Sequence, residues 1–311
     1  MGMVVRTNMG AINANNALTK NNSTVNKNIE KLSSGMRINR AADDASGLAI
    51  SEKMKRQIKA LDTATANAED GISLIQTAEG YMGEIHDMLN RMVELAGKSA
   101  NGTYAMPTGT AAYSATDPTQ AGTDRAALQK EMDQLCVEID RIASTANFNG
   151  NKLLNGSISA TGIELQIGET STKQDTLTMK IDDFRTNSLL SGVGAKIANG
   201  SDDPGKITDA QTINISVQAS AMSAVEDLTK IIDKVSLQRA DLGAKQNRLE
   251  YTVNNLTTTS ENISAANSRI RDTDMAKEMM KYTQGNVLTQ AAQAMLAQAN
   301  QAPQGVLQLL Q

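Results

Sequence analysis

Apolar residues recur along this chain at intervals of seven, concentrated in two long stretches. From Met54 one column runs Met54, Leu61, Ala68, Ile75, Met82, Leu89 and Ala96, with a companion at Ala64, Gly71, Ala78, Ile85 and Met92. Two apolar columns kept in step over so many turns predict one uninterrupted helix that packs in a bundle or coiled coil. About 55 residues at roughly 1.5 Å each give a helix on the order of 80 Å long. A second column is built of branched aliphatics: Leu228, Val235, Leu242, Leu249, Leu256, Ile263 and Ile270. Its companion column is polar (Gln238, Lys245, Thr252, Thr259). A single apolar column predicts one member of a multi-helix bundle rather than half of a two-stranded coil.

Shorter patterns fill the rest. Residues 5–33 read as an amphipathic helix with Ile12, Leu18, Val25, Ile29 and Leu32 as its apolar positions and Gly35 as its stop. Asp43 or Asp44 then caps the long helix. Residues 102–122 are Gly, Thr, Ala and Pro without a period and read as a loop. A third helix covers Asp124 to Thr145, with Leu128, Leu135 and Ile142 seven apart and Met132 and Ile139 beside them. FNGNKLLNG (148–156) ends it with two Asn-Gly turns. The period then becomes two: Ile163, Leu165 and Ile167, then Leu177, Met179 and Ile181. These predict a β-hairpin within 157–185. Residues 186–210 are irregular. Ile213, Ile215 and Val217 either add a strand or lead into the next helix. The segment 275–311 is helical and Ala/Gln-rich, with Met279, Tyr282, Leu288, Ala292, Met295 and Ala299 assigned to one face. The fold class is mainly α, a long antiparallel bundle of N- and C-terminal segments with a small β-hairpin region in the middle.

Composition sharpens this picture. The 311 residues include no Trp, two Phe, five Tyr and 16 Met. Without aromatic rings to fill a thick core, small and flexible side chains suit thin layers between helices. Four prolines leave room for very long helices. The net charge is −4 with basic residues dispersed, which argues against nucleic acid as a partner. No apolar run approaches the roughly 20 residues of a membrane span. The N-terminal MGMVVRTNMGAINANN lacks an apolar signal core, so the expected location is the cytosol or outside the cell by a route without a cleaved signal.

Candidate chemistry is sparse. His86 is the single histidine, lies off the apolar columns, and reads as solvated or edge-packed. Cys136 reads as a small core or boundary residue. The Asp43–Asp44 pair reads as a helix cap rather than a cation site. The glycines of DGISLIQ and GVGAK form no phosphate-binding fingerprint. No catalytic, cofactor or metal residue is therefore assigned, and an enzyme is not expected.

LSSGMRINRAADDASGLAISEKM (32–54), ANFNGNKLLNG (146–156), ANSRIRDTDMAKEM (266–279) and NVLTQAAQAMLAQANQAPQGVLQLL (286–310) resemble, in this order, the signature segments of bacterial flagellins. The resemblance spans about residues 1–156 and 219–311. It implies an inner coiled-coil layer from residues 1–43 and 273–311, with Leu18, Val25, Ile29, Leu32, Met279, Leu288 and Met295 in its packing. It implies an outer rod from 44–185 and 211–272, and a variable region reduced to 186–210. The implied core of the rod is Leu61, Ile75, Met82, Leu89, Leu128, Leu135, Ile142 and the column from Leu228 to Ile270. The implied function is a self-assembling filament subunit for motility. Its ends would be disordered until assembly, and it would be exported through the flagellar apparatus with cap, junction and export-chaperone proteins as partners.

LNRMVELAGKSAN (89–101) also resembles a motif of flagellins recognised by Toll-like receptor 5, with Arg91, Leu95 and Glu131 at matching contact positions and Val93 where a basic residue is common. The 102–122 loop departs from the short link usual beside that motif. Three rival readings remain. A hook–filament junction protein shares the terminal helices but not the near-complete central signature. A flagellin carrying a metallopeptidase needs an HExxH motif, which one histidine cannot supply. A coiled-coil signalling module does not account for the ends or the middle hairpin.

Overall fold

The two long apolar columns fold into the two longest helices of the chain. The computed structural model describes residues 8–103, 124–170, 172–191, 213–216 and 218–309, with backbone only for 191 and 302–309. The helices are α1 (Met9–Ser34), α2 (Ala45–Ala100), α3 (Asp124–Thr145), α4 (Thr186–Ser191), α5 (Gln218–Arg271) and α6 (Met275–Leu309). The strands are β1 (Asn147–Phe148), β2 (Asn151–Lys152), β3 (Ile163–Gln166) and β4 (Thr176–Met179). Most of the expected 102–122 loop, residues 192–210 and Val217 lie outside the described residues, as do the first positions of the helix expected from residue 5. By internal contacts the chain divides into two compact units, one Ala60–Thr258 and the other Met1–Lys59 with Thr259–Gln311. The division falls inside α2 and α5.

In the unit Ala60–Thr258 both columns of α2 are buried from Leu61 to Ala96, including Ile75, Met82 and Leu89 at 2 % exposure or less. Leu228, Val235, Leu242, Leu249 and Leu256 of α5 are buried with them. The α3 expectation is corrected. Leu128, Leu135 and Ile142 are half-buried, whereas Met132, Cys136, Ile139 and Ala143 are buried with Arg125 and Gln129. Side-chain hydrogen bonding selects this face. Arg125 Nε and Nη2 donate to Ser99 O (3.1 Å) and Asn101 O (3.0 Å). Gln129 donates to Ile213 O (3.0 Å) and accepts from Ile215 N–H (2.7 Å). Those polar contacts satisfy backbone groups that burial would otherwise strand.

The same contacts explain why Ile213–Ser216 is not a strand: side chains, rather than a neighbouring strand, take its backbone hydrogen bonds. The run leads directly into α5. Asn149 (φ 49°) and Gly150 (φ 85°) form the two-residue turn between β1 and β2, so the first Asn-Gly pair makes a hairpin of its own. The expected hairpin is β3–β4, with Leu165 opposite Leu177. Asn67 holds it to α2 through Gln166 O (3.0 Å). Residues 186–191 are not irregular but helical. Asp140 of α3 accepts from Thr186 N–H (2.7 Å) and from its hydroxyl (2.6 Å), and Leu189 and Leu190 enter the core.

In the other unit, α1 and α6 pack together. Gly35, at φ 70°, closes α1 by donating to Lys31 O. The chain then pairs with the end of α5 and the link to α6: Arg37 N–H donates to Arg271 O (2.7 Å) and Thr273 N–H to Gly35 O (2.9 Å). Two of the segments with family resemblance, 32–54 and 266–279, thus meet in one backbone joint. Asp44 caps α2 by accepting from Gly47 N–H (2.8 Å) and the Ser46 hydroxyl (2.9 Å). These bonds hold its carboxyl below the usual range. Ile263 and Ile270, expected in the rod core, are only half-buried in this unit. At Ile270 the main-chain oxygen accepts from Arg37 Nη2 (2.6 Å).

Among the described side chains of α1 and α6, the buried ones are Val25, Asn28, Glu278 and the position of Gly285. So thin an apolar layer offsets little of the roughly 1–2 kcal/mol ordering cost per residue. We expect amide hydrogens of α1 and α6 to exchange much faster than those of residues 60–96. Equal protection in a native-state exchange experiment would show that the pair is stable by itself.

Candidate assembly surfaces

The α1–α6 pair uses one face of each helix and leaves several large apolar side chains outside it. On α6, Glu278, Tyr282, Gly285, Thr289, Ala292, Leu296 and Ala299 alternate at steps of four and three and are buried or half-buried. Facing positions on α1 are Leu18, Asn21, Val25, Asn28 and Leu32. Polar groups dominate this seam. Asn21 donates to Gly285 O and Thr289 Oγ1, both at 2.8 Å. Asn8 donates to Ala299 O at 2.7 Å. The Asn28 amide, oriented to donate, reaches Glu278 Oε1 at 3.0 Å, and Lys281 pairs with the other oxygen of Glu278 at 3.0 Å. Polar groups at such a seam fix register, because any slip leaves them without partners. An apolar-column search passes over these asparagines and Glu278. Their seven-residue spacings, 21 to 28 and 278 to 285, were the available signal.

The residues expected to pack the inner layer therefore separate. Val25 is buried and Leu18 and Leu32 are half-buried. Ile29, Met279, Leu288 and Met295 are exposed, Met295 at 64 %. The expected single face of α6 mixed two: Tyr282, Ala292 and Ala299 turn to α1, while the large apolar side chains turn away. Met279, Met280, Val287 and Leu288 line a surface groove with Thr283 and Gln284. Met9 and Ile12 of α1 are also exposed. An unpartnered stripe of this kind marks an interaction surface.

Gly285 sets the approach of the two helices. A Cβ there would lie 2.7 Å from Val25 Cγ2, and a β-branched side chain in a helix has little freedom to yield. Ala at 285 gains about 1 kcal/mol of helix propensity but incurs overpacking of about 1–3 kcal/mol. We expect Gly285→Ala to weaken α1–α6 pairing and the added Val25→Ala to restore it, read as exchange protection in α1. Unchanged protection in Gly285→Ala would show that the contact yields freely.

A second surface lies on α2 and α3. Arg91 pairs with Glu131 (2.8 Å) and Glu94 (2.6 Å), and Glu94 pairs with Lys98 (2.9 Å). The bonds from Glu131, then Glu94, push the Arg91 pKa up, and those from Lys98, then Arg91, hold Glu94 down. All four side chains are largely solvated, so the cluster adds little stability. Leu95 does not belong to it. It is 0 % exposed and faces the core, because it follows Met88 and Met92 around the buried side of α2. It is corrected from a surface contact to a core residue.

Among the described residues no group of three or more His, Cys, Asp or Glu side chains is placed to hold a metal ion, and no helix is long and apolar enough to cross a membrane. Cys136 is buried, and desolvation, then Asp133 and Asp140, pushes its thiol up to about 12. It is a core residue without a nucleophile's chemistry. His86 is half-buried with an unpaired Nδ1.

Comparison with known proteins is consistent along the chain. Residues 5–159 match the bacterial flagellin N-terminal helical region, and residues 222–310 match the bacterial flagellin C-terminal helical region. The chain is 46 % identical to a flagellin of Bacillus subtilis over 99 % of its own length and 100 % of that protein. It is also 46 % identical to the flagellar filament 33 kDa core protein of Treponema phagedenis, with the same coverage. The structure of a candidate flagellar hook-associated protein from Vibrio parahaemolyticus shares the fold: TM-score 0.51 and 13 % identity, covering 74 % of this chain and 100 % of that one.

Proposed function

Because this chain belongs to the bacterial flagellin family, we propose that it is a structural, non-enzymatic subunit of the flagellar filament and that neighbouring copies cover the outward apolar faces of α6 and α1. The observation that carries the reading is the set Met279, Met280, Val287, Leu288 and Met295, all exposed on the part of α6 that α1 leaves uncovered. In this reading residues 1–43 and 273–311 form the inner layer. Residues 44–185 and 211–272 form the rod, with 186–210 as the reduced variable region.

The thin α1–α6 seam supports coupling of end folding to assembly, since the neighbours' apolar surface supplies what the single chain lacks. Loosely held ends suit export through a narrow channel, with chaperone, cap and junction proteins as partners. High identity to filament proteins along almost the whole chain favours the filament over the hook–filament junction, whose fold is similar. Precipitant-induced assembly of the purified chain, viewed by electron microscopy, tests the proposal. Micrometre filaments are expected, and short caps or soluble monomers would refute it.

Recognition of the monomer by Toll-like receptor 5 is a second reading, favoured by the solvated Arg91–Glu131 pair. Leu95 contributes through the core only. We expect Arg91→Ala to lower receptor affinity about tenfold, the loss of one charge-assisted contact. Unchanged affinity removes the reading. A further titration, with the 102–122 loop shortened, shows whether that segment alters access.

A further inference from the structure

We propose that Met275, Met279, Met280 and Met295 are oxidation sites through which a peroxide switches off assembly of the exported or nascent subunit; the inference rests on the reading that copies bury this face of α6.

The methionines divide sharply by location. Met82, Met92, Met132 and Met179 are at most 1 % exposed. Met36, Met54 and Met88 are half-buried. Among the described methionines the most exposed are the four on α6, with Met9 and Met222. Cys136 is buried, so the usual thiol target is withheld from an oxidant. Met279 and Met280 line the groove with Val287 and Leu288, Met275 opens the helix, and Met295 lies about two turns beyond Leu288.

The step balances with hydrogen peroxide as the oxidant. A sulfur lone pair attacks one peroxide oxygen, an S–O bond forms as the O–O bond breaks, and the departing hydroxide takes the remaining proton as water. Sulfur loses two electrons and the peroxide gains them. A flexible apolar side chain becomes a polar sulfoxide. Burying that oxygen against a neighbour's apolar side chains leaves an acceptor without a donor. Methionine sulfoxide reductases reverse the change.

The test uses the full chain as soluble monomer, treated with graded hydrogen peroxide, quenched, and divided between peptide mass analysis and an assembly assay. Sulfoxides are expected at Met275, Met279, Met280 and Met295 before Met82, Met92, Met132 or Met179, with the assembly rate falling roughly tenfold or more and recovering after reductase treatment. The fourfold Met→Leu variant is expected to assemble and to keep its rate after peroxide. Oxidised wild type assembling at its original rate overturns the inference, as does a Leu variant that loses as much as wild type. The fourfold Met→Gln variant separates the two levels. If it assembles normally, the α6 face is not an assembly surface and the functional reading fails. If it is blocked while oxidised wild type is not, only the present inference fails.

Discussion

Removal of residues 275–311 is expected to leave a folded, soluble protein that never polymerises. The cut falls just after Asp274, which caps α6 by accepting from Lys277 N–H (3.1 Å) and Glu278 N–H (3.0 Å). The deletion takes away the whole exposed stripe of α6. It also strands α1, since Asn8, Asn21 and Asn28 lose Ala299 O, Gly285 O and Glu278. What remains of that seam on α1 is Leu18, Val25 and Leu32, too little apolar area to hold a helix of this composition by itself. The unit Ala60–Thr258 keeps every buried contact, because none of its core residues lies beyond Leu256. Electron microscopy and sedimentation of the truncated chain give the outcome directly. Helix content reduced by the share of α6 and α1, an intact Ala60–Thr258 unit and no filaments are expected, and filaments from the truncation would remove α6 from any account of assembly.

Leu249→Ala carries the largest expected stability effect, about 2–4 kcal/mol lost from the unit that contains it. Leu249 is 0 % exposed. It lies where α5, α2 and β3 meet, and Gly71 makes the meeting possible. A Cβ on Gly71 would lie 3.3 Å from Leu249 Cδ1 and 2.5 Å from Leu165 Cδ1. Cutting Leu249 back to Ala opens a cavity walled by two long helices and a hairpin. Neither helix can bend inward locally without disturbing its own hydrogen bonds. The measurement is a denaturant or thermal melt of wild type and variant under the same conditions. An unchanged midpoint would place Leu249 outside the core. A loss confined to denaturant slope would point instead to a change in the unfolded state.

Most of the fold was legible in the chain. Where an apolar column has an apolar companion, as in α2, a straight helix has one face to bury and burial follows. The alternation at 163–167 and 177–181 defined the β3–β4 hairpin for the same reason, since period two admits one buried face. In α3 the argument failed by a single residue, from Leu128 to Gln129. Spacing ranks faces by apolar content, whereas Arg125 and Gln129 are drawn inward by the carbonyls and amides of 99–101 and 213–215. Leu95 was misplaced because a resemblance carries residue identities but not the rotation of a helix about its axis.

The sequence by itself determined the helices, the hairpin and the family. Those follow from local period and from side-chain chemistry that neighbours cannot change. Tertiary structure alone decided which face of α6 meets α1. There Asn21, Asn28, Gly285 and Glu278 outcompete Met279, Leu288 and Met295, because paired polar groups and a missing Cβ allow close helix approach. The apolar side chains are thereby left outside, on the surface through which copies of the chain are proposed to join.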